Sequence, residues 1–150
     1  MTKQELQKQL QESMKARNEI RTSTLRMLLS GINYYEIGKG GAGYEATEED
    51  VLTVVQKEAK QRNDSIEQFR AGGRQDLVDK ETAELKILKE FMPEQMNEDE
   101  IRGLVKQAIS ETGASSSNDM GKIMGNLMPK VKGKADGSTV NRIVQEELRA

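Results

Sequence analysis

Cysteine and histidine are both absent from this chain of 150 residues. Without cysteine the chain has no disulfide framework, no thiolate nucleophile and no zinc–sulfur site. Without histidine it lacks the side chain most often used for proton transfer near neutral pH, which is also the commonest metal ligand. A Ser-His-Asp or Cys-His arrangement is therefore excluded, and we predict no catalytic residue, no metal site and no cofactor.

Aromatic side chains are also scarce. The chain has no tryptophan, two phenylalanines and three tyrosines, and apolar residues make up 35% of it against 32% charged residues. This composition cannot fill a bulky core, but it suits helices that bury one stripe of Leu, Ile, Val and Met. Gln, Glu, Lys, Leu and Met are abundant, and all of them favour helix. The sequence therefore predicts an all-α fold.

Long hydrophobic runs are missing as well. The first residues, Met1 to Glu5, contain no apolar segment of the kind that secretory signals carry. No apolar run approaches the roughly 20 residues that a membrane-spanning helix requires. We therefore expect a cytoplasmic protein that does not enter a membrane.

The spacing of apolar residues predicts four amphipathic helices in the first part of the chain, over about residues 3–16, 20–36, 48–70 and 76–91. The glycine-rich segment Gly38–Gly43 is predicted to be a flexible, non-helical loop. It matches G-x-G-x-x-G, but a dinucleotide site needs a strand before the loop, and here a helix precedes it. Pro93 ends the fourth helix, so we predict an N-terminal four-helix domain over residues 1–94.

A smaller domain of three helices is predicted over residues 95–150. Asn97 opens a capping-box signature at the start of its first helix. The next helix begins near Asp119 and is expected to break at Pro129, because proline lacks the backbone donor. After a turn, Asp136 is expected to cap a last helix over about residues 137–148.

One local charge imbalance stands out within a chain whose net charge is only −2. Between Met120 and Arg142 the five basic residues are opposed by Asp136 alone. Lysines on a glycine-containing turn can follow a phosphate backbone. Aromatic residues are not interleaved with them, so base stacking is not predicted. The alternative interpretation of this segment is a solvated basic face.

Methionine and glycine alternate at helical spacing in the same segment. Gly121 and Gly125 lie one turn apart, and Met120, Met124 and Met128 follow a neighbouring line. A close helix crossing at the glycines, with methionines filling gaps, is one interpretation. The other is a surface left thin so that the backbone of a partner can approach it.

Several blocks of the sequence resemble the bacterial YqeY-like proteins. The blocks are RNDSIEQF at 62–69, AGGRQDL at 71–77, FMPEQ at 91–95, DMGKIMG at 119–125, KGKADG at 132–137 and VNRIV at 140–144. The resemblance implies a helical N-terminal domain joined to a three-helix C-terminal domain. It also implies kinship with the tail of the B subunit of tRNA-dependent amidotransferases, which helps to hold the tRNA body.

The favoured hypothesis is a non-catalytic accessory protein that associates with tRNA or another structured RNA. The residues expected to contact phosphates are Lys122, Lys130, Lys132, Lys134 and Arg142. Gly133 would let the turn approach the RNA backbone, and the motif would be shaped by Asp119, Gly121, Gly125 and Asp136.

Two further hypotheses remain open. The chain could be an adaptor that binds an amidotransferase or an aminoacyl-tRNA synthetase through the methionine-glycine surface. It could also be an enzyme of the carbon–nitrogen ligase type that uses glutamine as amide donor. That activity would rest on family analogy alone, because the domains that house the amidotransfer chemistry have no room in this chain.

Overall fold

The computed structural model describes residues 1–149, and all regular secondary structure in this range is helical, as predicted. The α-helices are α1 Lys3–Lys15, α2 Glu19–Gly40, α3 Glu48–Ala71, α4 Gln75–Lys89, α5 Glu98–Thr112, α6 Met120–Val131 and α7 Gly137–Arg149, with a short 3₁₀ helix at Ser117–Asp119 before α6. None of the helices in this range is both long enough and apolar enough to cross a membrane.

The helices pack into two compact units, and each has its own apolar core. The first unit, Met1–Met92, contains α1 to α4 and buries residues such as Leu25, Ile32, Val55 and Leu88. The second unit begins at Pro93 and contains α5 to α7 around Val105, Ile123, Leu127 and Ile143. The division of the chain into independently folding domains at residues 94 and 95 stays a prediction.

Helix starts follow the capping chemistry of the sequence. The side chains of Thr47 and Asn97 each accept a hydrogen bond from the backbone three residues on, at Asp50 and Glu100. In return each acidic side chain accepts from the backbone N–H of its cap, which completes both capping boxes. The two predicted starts, at α3 and α5, are therefore present.

Two expected helix interruptions do not occur. α2 continues to Gly40, although glycine lowers helix propensity, because Lys39 is held by side chains outside the glycine segment. α6 runs through Pro129 to Val131. The proline ring deprives the carbonyl of Gly125 of its usual donor, but Gly125 is exposed, so that carbonyl can face water instead.

A buried carboxylate holds the end of α2 against the start of α3. Asp50 is only 3% exposed, and its two oxygens lie 2.5 Å from Lys39 Nζ and 2.6 Å from the hydroxyl of Tyr44. The Lys39 ammonium also lies 5.7 Å from the ring centre of Tyr35 and 5.4 Å from that of Tyr44. The lysine, the tyrosine hydroxyl and the backbone of Thr47 lower the pKa of Asp50. The hydrogen bond to Asp50 in turn raises the pKa of Lys39.

A second buried carboxylate, Glu36, joins α1 to the loop after α2. It accepts a hydrogen bond of 2.7 Å from Lys3 Nζ and one of 2.8 Å from the backbone N–H of Ala46. Both hydrogen bonds lower the pKa of Glu36, and the one from Lys3 has the larger effect. The loop between α2 and α3 is therefore anchored at its far end by a residue of α2.

A third tie lies between α3 and α4, where Arg62 is buried with two glutamates. Its Nη1 is 2.6 Å from Glu58 and its Nε is 3.3 Å from Glu84, and both Arg62 and Glu84 are about 5% exposed. Nη2 of Arg62 donates to the sulfur of Met27 at 3.8 Å, while Nε makes no hydrogen bond of good geometry. Since the group carries one guanidinium and two carboxylates, removal of the guanidinium leaves the buried Glu84 and the partly exposed Glu58 without their cation.

Asp50→Asn is expected to destabilise the first unit at neutral pH, because it removes the counter-ion of Lys39. The folded-state pKa of Asp50 lies below its unfolded value of about 3.9, so its contribution is fully present above about pH 5 and declines as the pH falls. Thermal unfolding should therefore show a gap between wild type and variant at pH 7 that narrows below about pH 4. Asp64→Asn, on the exposed face of α3, is the matched control. A gap that is constant with pH would contradict this account.

Arg62→Met is expected to lower the free energy of unfolding by about 3–5 kcal/mol, because Glu58 and Glu84 lose their partner in a poorly hydrated site. Adding Glu84→Leu to it should restore part of that loss, since an apolar pair replaces the ion pair. Urea unfolding followed by circular dichroism measures both changes, with the exposed Arg70→Met as control. Equal losses for Arg62→Met and Arg70→Met would refute the assignment.

Candidate nucleic-acid interface

The turn between α6 and α7 carries two of the predicted lysines and has a defined backbone. Gly133 adopts a left-handed conformation, with φ of 79°. The N–H groups of Lys134 and Ala135 both donate to the carbonyl of Val131, at 2.9 and 3.1 Å. A side chain at position 133 would be strained in this conformation, which explains the glycine.

The segment before α5 braces this turn. The backbone N–H of Met96 donates to the carbonyl of Lys134 at 2.8 Å, and the side-chain amide of Gln95 donates to the carbonyl of Gly133 at the same distance. With both carbonyls engaged, the turn has a fixed path and the side chains of Lys132 and Lys134 are exposed. These contacts of Gln95 and Met96 were not predicted, because nothing in the neighbouring sequence indicates a partner almost 40 residues away.

Arg142 and Lys130, two of the five predicted phosphate contacts, lie beside glutamates. Arg142 pairs with Glu98 of α5 and, at 2.9 Å, with Glu146 of its own helix. The hydrogen bonds to these two glutamates raise the pKa of Arg142, and the one to Glu146 has the larger effect. Lys130 lies 3.5 Å from Glu111 of α5. The local excess of positive charge is therefore smaller in the folded unit than along the sequence.

Lys122 and Lys134 are more available than Arg142 and Lys130. Lys122 is paired only loosely, at 3.9 Å from Asp119, and its side chain is 72% exposed. Lys134 forms no ion pair within residues 1–149. Lys132 is exposed on the same turn. The structure thus brings Lys132 and Lys134 together on either side of Gly133. Lys122 lies apart from them, near the start of α6.

The residues expected to shape the motif have clear local roles. Asp119 accepts from the backbone of Ser115 at 3.0 Å and of Ser116 at 3.4 Å, which lowers its pKa and orders the approach to α6. Asp136 accepts from the hydroxyl of Ser138 and from the N–H of Thr139 at the start of α7. Asp119 therefore bonds two backbone N–H groups, and Asp136 bonds one backbone N–H group and one hydroxyl.

The two glycines of α6 lie on an open face. A Cβ at Gly121 or Gly125 would meet no atom within 4 Å, so no helix within residues 1–149 crosses α6 there, contrary to the first interpretation of the pattern. Met120 and Met124 pack on the core instead, while Met128 is 38% exposed. On α6 the two glycines therefore leave a strip of exposed backbone.

An open cavity of about 540 Å³ lies next to the turn. Met96 and Leu104 form its apolar floor, and Gly103 contributes no side chain. Its remaining lining residues are Glu94, Gln95, Glu100 and Lys134. One of the two glutamates, Glu100, already accepts from the N–H of Asn97 as part of the helix cap.

In the described residues, shifted pKa values are caused by ion pairs, hydrogen bonds and helix caps. Each carboxylate with a shifted pKa, such as Glu146 beside Arg102 and Arg142 or Glu111 beside Asn126, has it lowered. The one shifted lysine, Lys39, has its pKa raised. A general acid or base working near pH 7 needs shifts in the opposite direction. The described residues also contain no cluster of three or more acidic side chains arranged to hold a metal ion.

Comparison with known proteins gives matches over nearly the whole chain. Residues 3–148 match the family described as Yqey-like protein. "Altered inheritance of mitochondria protein 41, mitochondrial" of Pyrenophora tritici-repentis is 34% identical over 151 residues, or 97% of this chain and 80% of that protein. The protein of the same name from Lachancea thermotolerans is 34% identical over 74% of this chain, a match that spans 59% of its length. An uncharacterized protein of Schizosaccharomyces pombe is 39% identical over 59% of this chain.

These names correct the expectation of a cytoplasmic protein, which is wrong on this comparison, because two of the three relatives are named as mitochondrial. The expectation rested on the lack of an apolar secretory segment. Import into mitochondria uses amphipathic segments rich in Arg and Ser, on which that lack has no bearing.

The family match covers both units and includes every sequence block in which the resemblance was found. This match does not extend to the tail of the amidotransferase B subunit, and the likeness to that tail stays a prediction. The chain belongs to the YqeY-like family.

Proposed function

We propose that this protein is a non-catalytic accessory factor that binds tRNA or another structured RNA through its second unit. The observation that carries the proposal is the braced turn at Gly133, which presents Lys132 and Lys134 to solvent on a fixed backbone. A rigid turn loses little conformational freedom when it meets a phosphate backbone. Lysine at such a turn neutralises phosphates without reading base sequence.

The predicted contacts fall into two groups. Lys122, Lys132 and Lys134 form the primary group, because all three residues are exposed. Lys130 and Arg142 form a secondary group, since each would exchange a glutamate for a phosphate on binding. The predicted kinship with the amidotransferase tail supports the same surface.

The proposal includes a division of labour between two domains. Residues 1–94 would form a four-helix domain and residues 95–150 a three-helix domain that carries the RNA contacts. The separate apolar cores of the two units support this division.

An alternative is an adaptor that binds an amidotransferase or an aminoacyl-tRNA synthetase. The open strip at Gly121 and Gly125, beside the exposed Met128, favours it, because a partner backbone can approach there closely. Gly121→Leu would block such an approach, and its Cβ would meet no neighbouring atom within 4 Å. Loss of a nuclease-resistant complex with a purified synthetase or amidotransferase in this variant would favour the adaptor.

Binding of a tRNA is expected to weaken as salt rises, with a log–log slope of about −2 to −3, because roughly three phosphates are neutralised. The triple change of Lys130, Lys132 and Lys134 to Ala should bring this slope close to −1 and reduce affinity at low salt. Fluorescence anisotropy with labelled tRNA measures both quantities. The double change of Lys57 and Lys60 to Ala, at exposed positions of α3, is the control. Binding that is undetectable at low salt, or unaltered in the triple variant, defeats the proposal.

A further inference from the structure

The open cavity beside the turn lies wholly within the second unit, since all of its lining residues fall between Glu94 and Lys134. Its volume of about 540 Å³ is in the range of cavities that hold small organic groups. Met96 and Leu104, which line it, also pack on the core of the unit, so they are held in place. The cavity therefore joins a fixed apolar surface to a polar rim.

Gly103 stands inside α5, where glycine lowers the stability of a helix relative to alanine. A Cβ at this position would meet no atom within 4 Å, so no packing contact within residues 1–149 requires a glycine here. Gly103 does line the cavity, and without a side chain it leaves the helix backbone bare on that side. Bare backbone lets a flat group lie close against the helix. The glycine therefore favours a planar ligand.

The uncharged and acidic groups at the rim offer hydrogen-bond acceptors. The side chain of Glu94 forms no ion pair within residues 1–149. The amide nitrogen of Gln95 donates to two backbone carbonyls, both at 2.8 Å, so the amide oxygen is left to accept. Glu100 uses only its Oε2 in the cap of α5, at 2.9 Å from the backbone N–H that it accepts. A ligand edge that carries several N–H donors matches this rim.

Lys134 is the cation among the lining residues, and it also belongs to the turn that is proposed to bind phosphates. It forms no ion pair within residues 1–149, and its carbonyl is fixed by the N–H of Met96 at 2.8 Å. Carboxylates repel a phosphate, so a bound nucleotide keeps its phosphate at Lys134 and turns its base towards Glu94. Because only a sugar separates the two groups, base and phosphate can be bound together.

We propose that this cavity binds one unpaired nucleobase of the RNA and that it favours guanine. The proposal rests on the RNA binding proposed above and adds recognition of a base to the phosphate contacts of the turn. The Watson–Crick edge of guanine carries N–H donors on two adjacent atoms, N1 and N2, and the carboxylate of Glu94 can accept both. Uracil offers one N–H between two carbonyl oxygens, which a carboxylate repels. The base must be unpaired, since pairing occupies the same edge.

Two labelled RNA hairpins with the same stem test this preference, one with a loop of uridines and one with a single guanosine in that loop. The wild-type protein should bind the guanosine hairpin about tenfold more tightly at low salt, because a bidentate contact is added to the phosphate contacts. Fluorescence anisotropy measures both dissociation constants. Glu94→Gln removes the carboxylate and Gly103→Leu fills the cavity, so each should bring the ratio of the two constants close to one.

Gly38→Leu is the matched control, because Gly38 is also a helical glycine whose Cβ would meet no atom within 4 Å, but it lies in the first unit. It should leave the ratio at its wild-type value. Gly103→Leu should raise the melting temperature, since leucine favours helix, and this separates lost preference from unfolding. A wild-type ratio near one, or a ratio that survives both cavity variants, overturns the base site alone. Failure of tRNA and of both hairpins to bind at low salt defeats the RNA-binding function and the base site with it.

Methyl NMR of the methionines locates the base. The signal of Met96, assigned with Met96→Leu, should shift when the guanosine hairpin is added, because the base lies against this side chain. Met14, an exposed methionine of the first unit, provides the reference signal and should not shift. Free guanosine monophosphate should act only at much higher concentration, since it lacks the neighbouring phosphates that contact the turn. An unmoved Met96 signal overturns the site, and equal potency of the free nucleotide overturns its assignment to RNA.

Discussion

Long cationic side chains that reach buried carboxylates hold the first unit together. Its helices have few bulky residues to interlock, so Lys3, Lys39 and Arg62 extend between elements and end on Glu36, Asp50 and Glu84. Glu36 and Asp50 lie below the surface, and each is satisfied by several donors at once, including backbone N–H groups. The apolar stripes bring the helices into contact, and these ion pairs determine which residues face each other.

The second unit uses charge differently. Its core is a compact set of aliphatic residues, and its ion pairs lie at the surface, where they link α5 to α6 and α7 through Glu98, Glu111 and Arg102. Surface pairs of this kind contribute little to stability. They do govern how much positive charge the unit presents, and Lys134, in the turn at Gly133, forms no ion pair within residues 1–149.

The helices, their caps and the all-α class could be predicted from the sequence, because they depend on apolar spacing and on residues within one turn of each other. Thr47 and Asn97 are examples: each cap and its partner are three residues apart. The extension of α2 to Gly40 and the continuity of α6 through Pro129 could not, since local propensity disfavours both. The pairing of Lys130 with Glu111 and of Arg142 with Glu98 could not be predicted either, because these residues are distant in sequence and adjacent only after folding. The brace from Gln95 and Met96 was missed for the same reason.

The anchoring of the loop between α2 and α3 has a practical consequence. Lys39 and Ala46, near its two ends, are bonded to carboxylates that belong to helices, whereas Ala42 and Gly43 between them are exposed. Doubling the length of a flexible loop costs only about 0.6 kcal/mol in closure entropy when its ends are already held. The junction of Ala42 and Gly43 is therefore a suitable place to insert a fluorescent reporter or an affinity tag while both helices keep their packing.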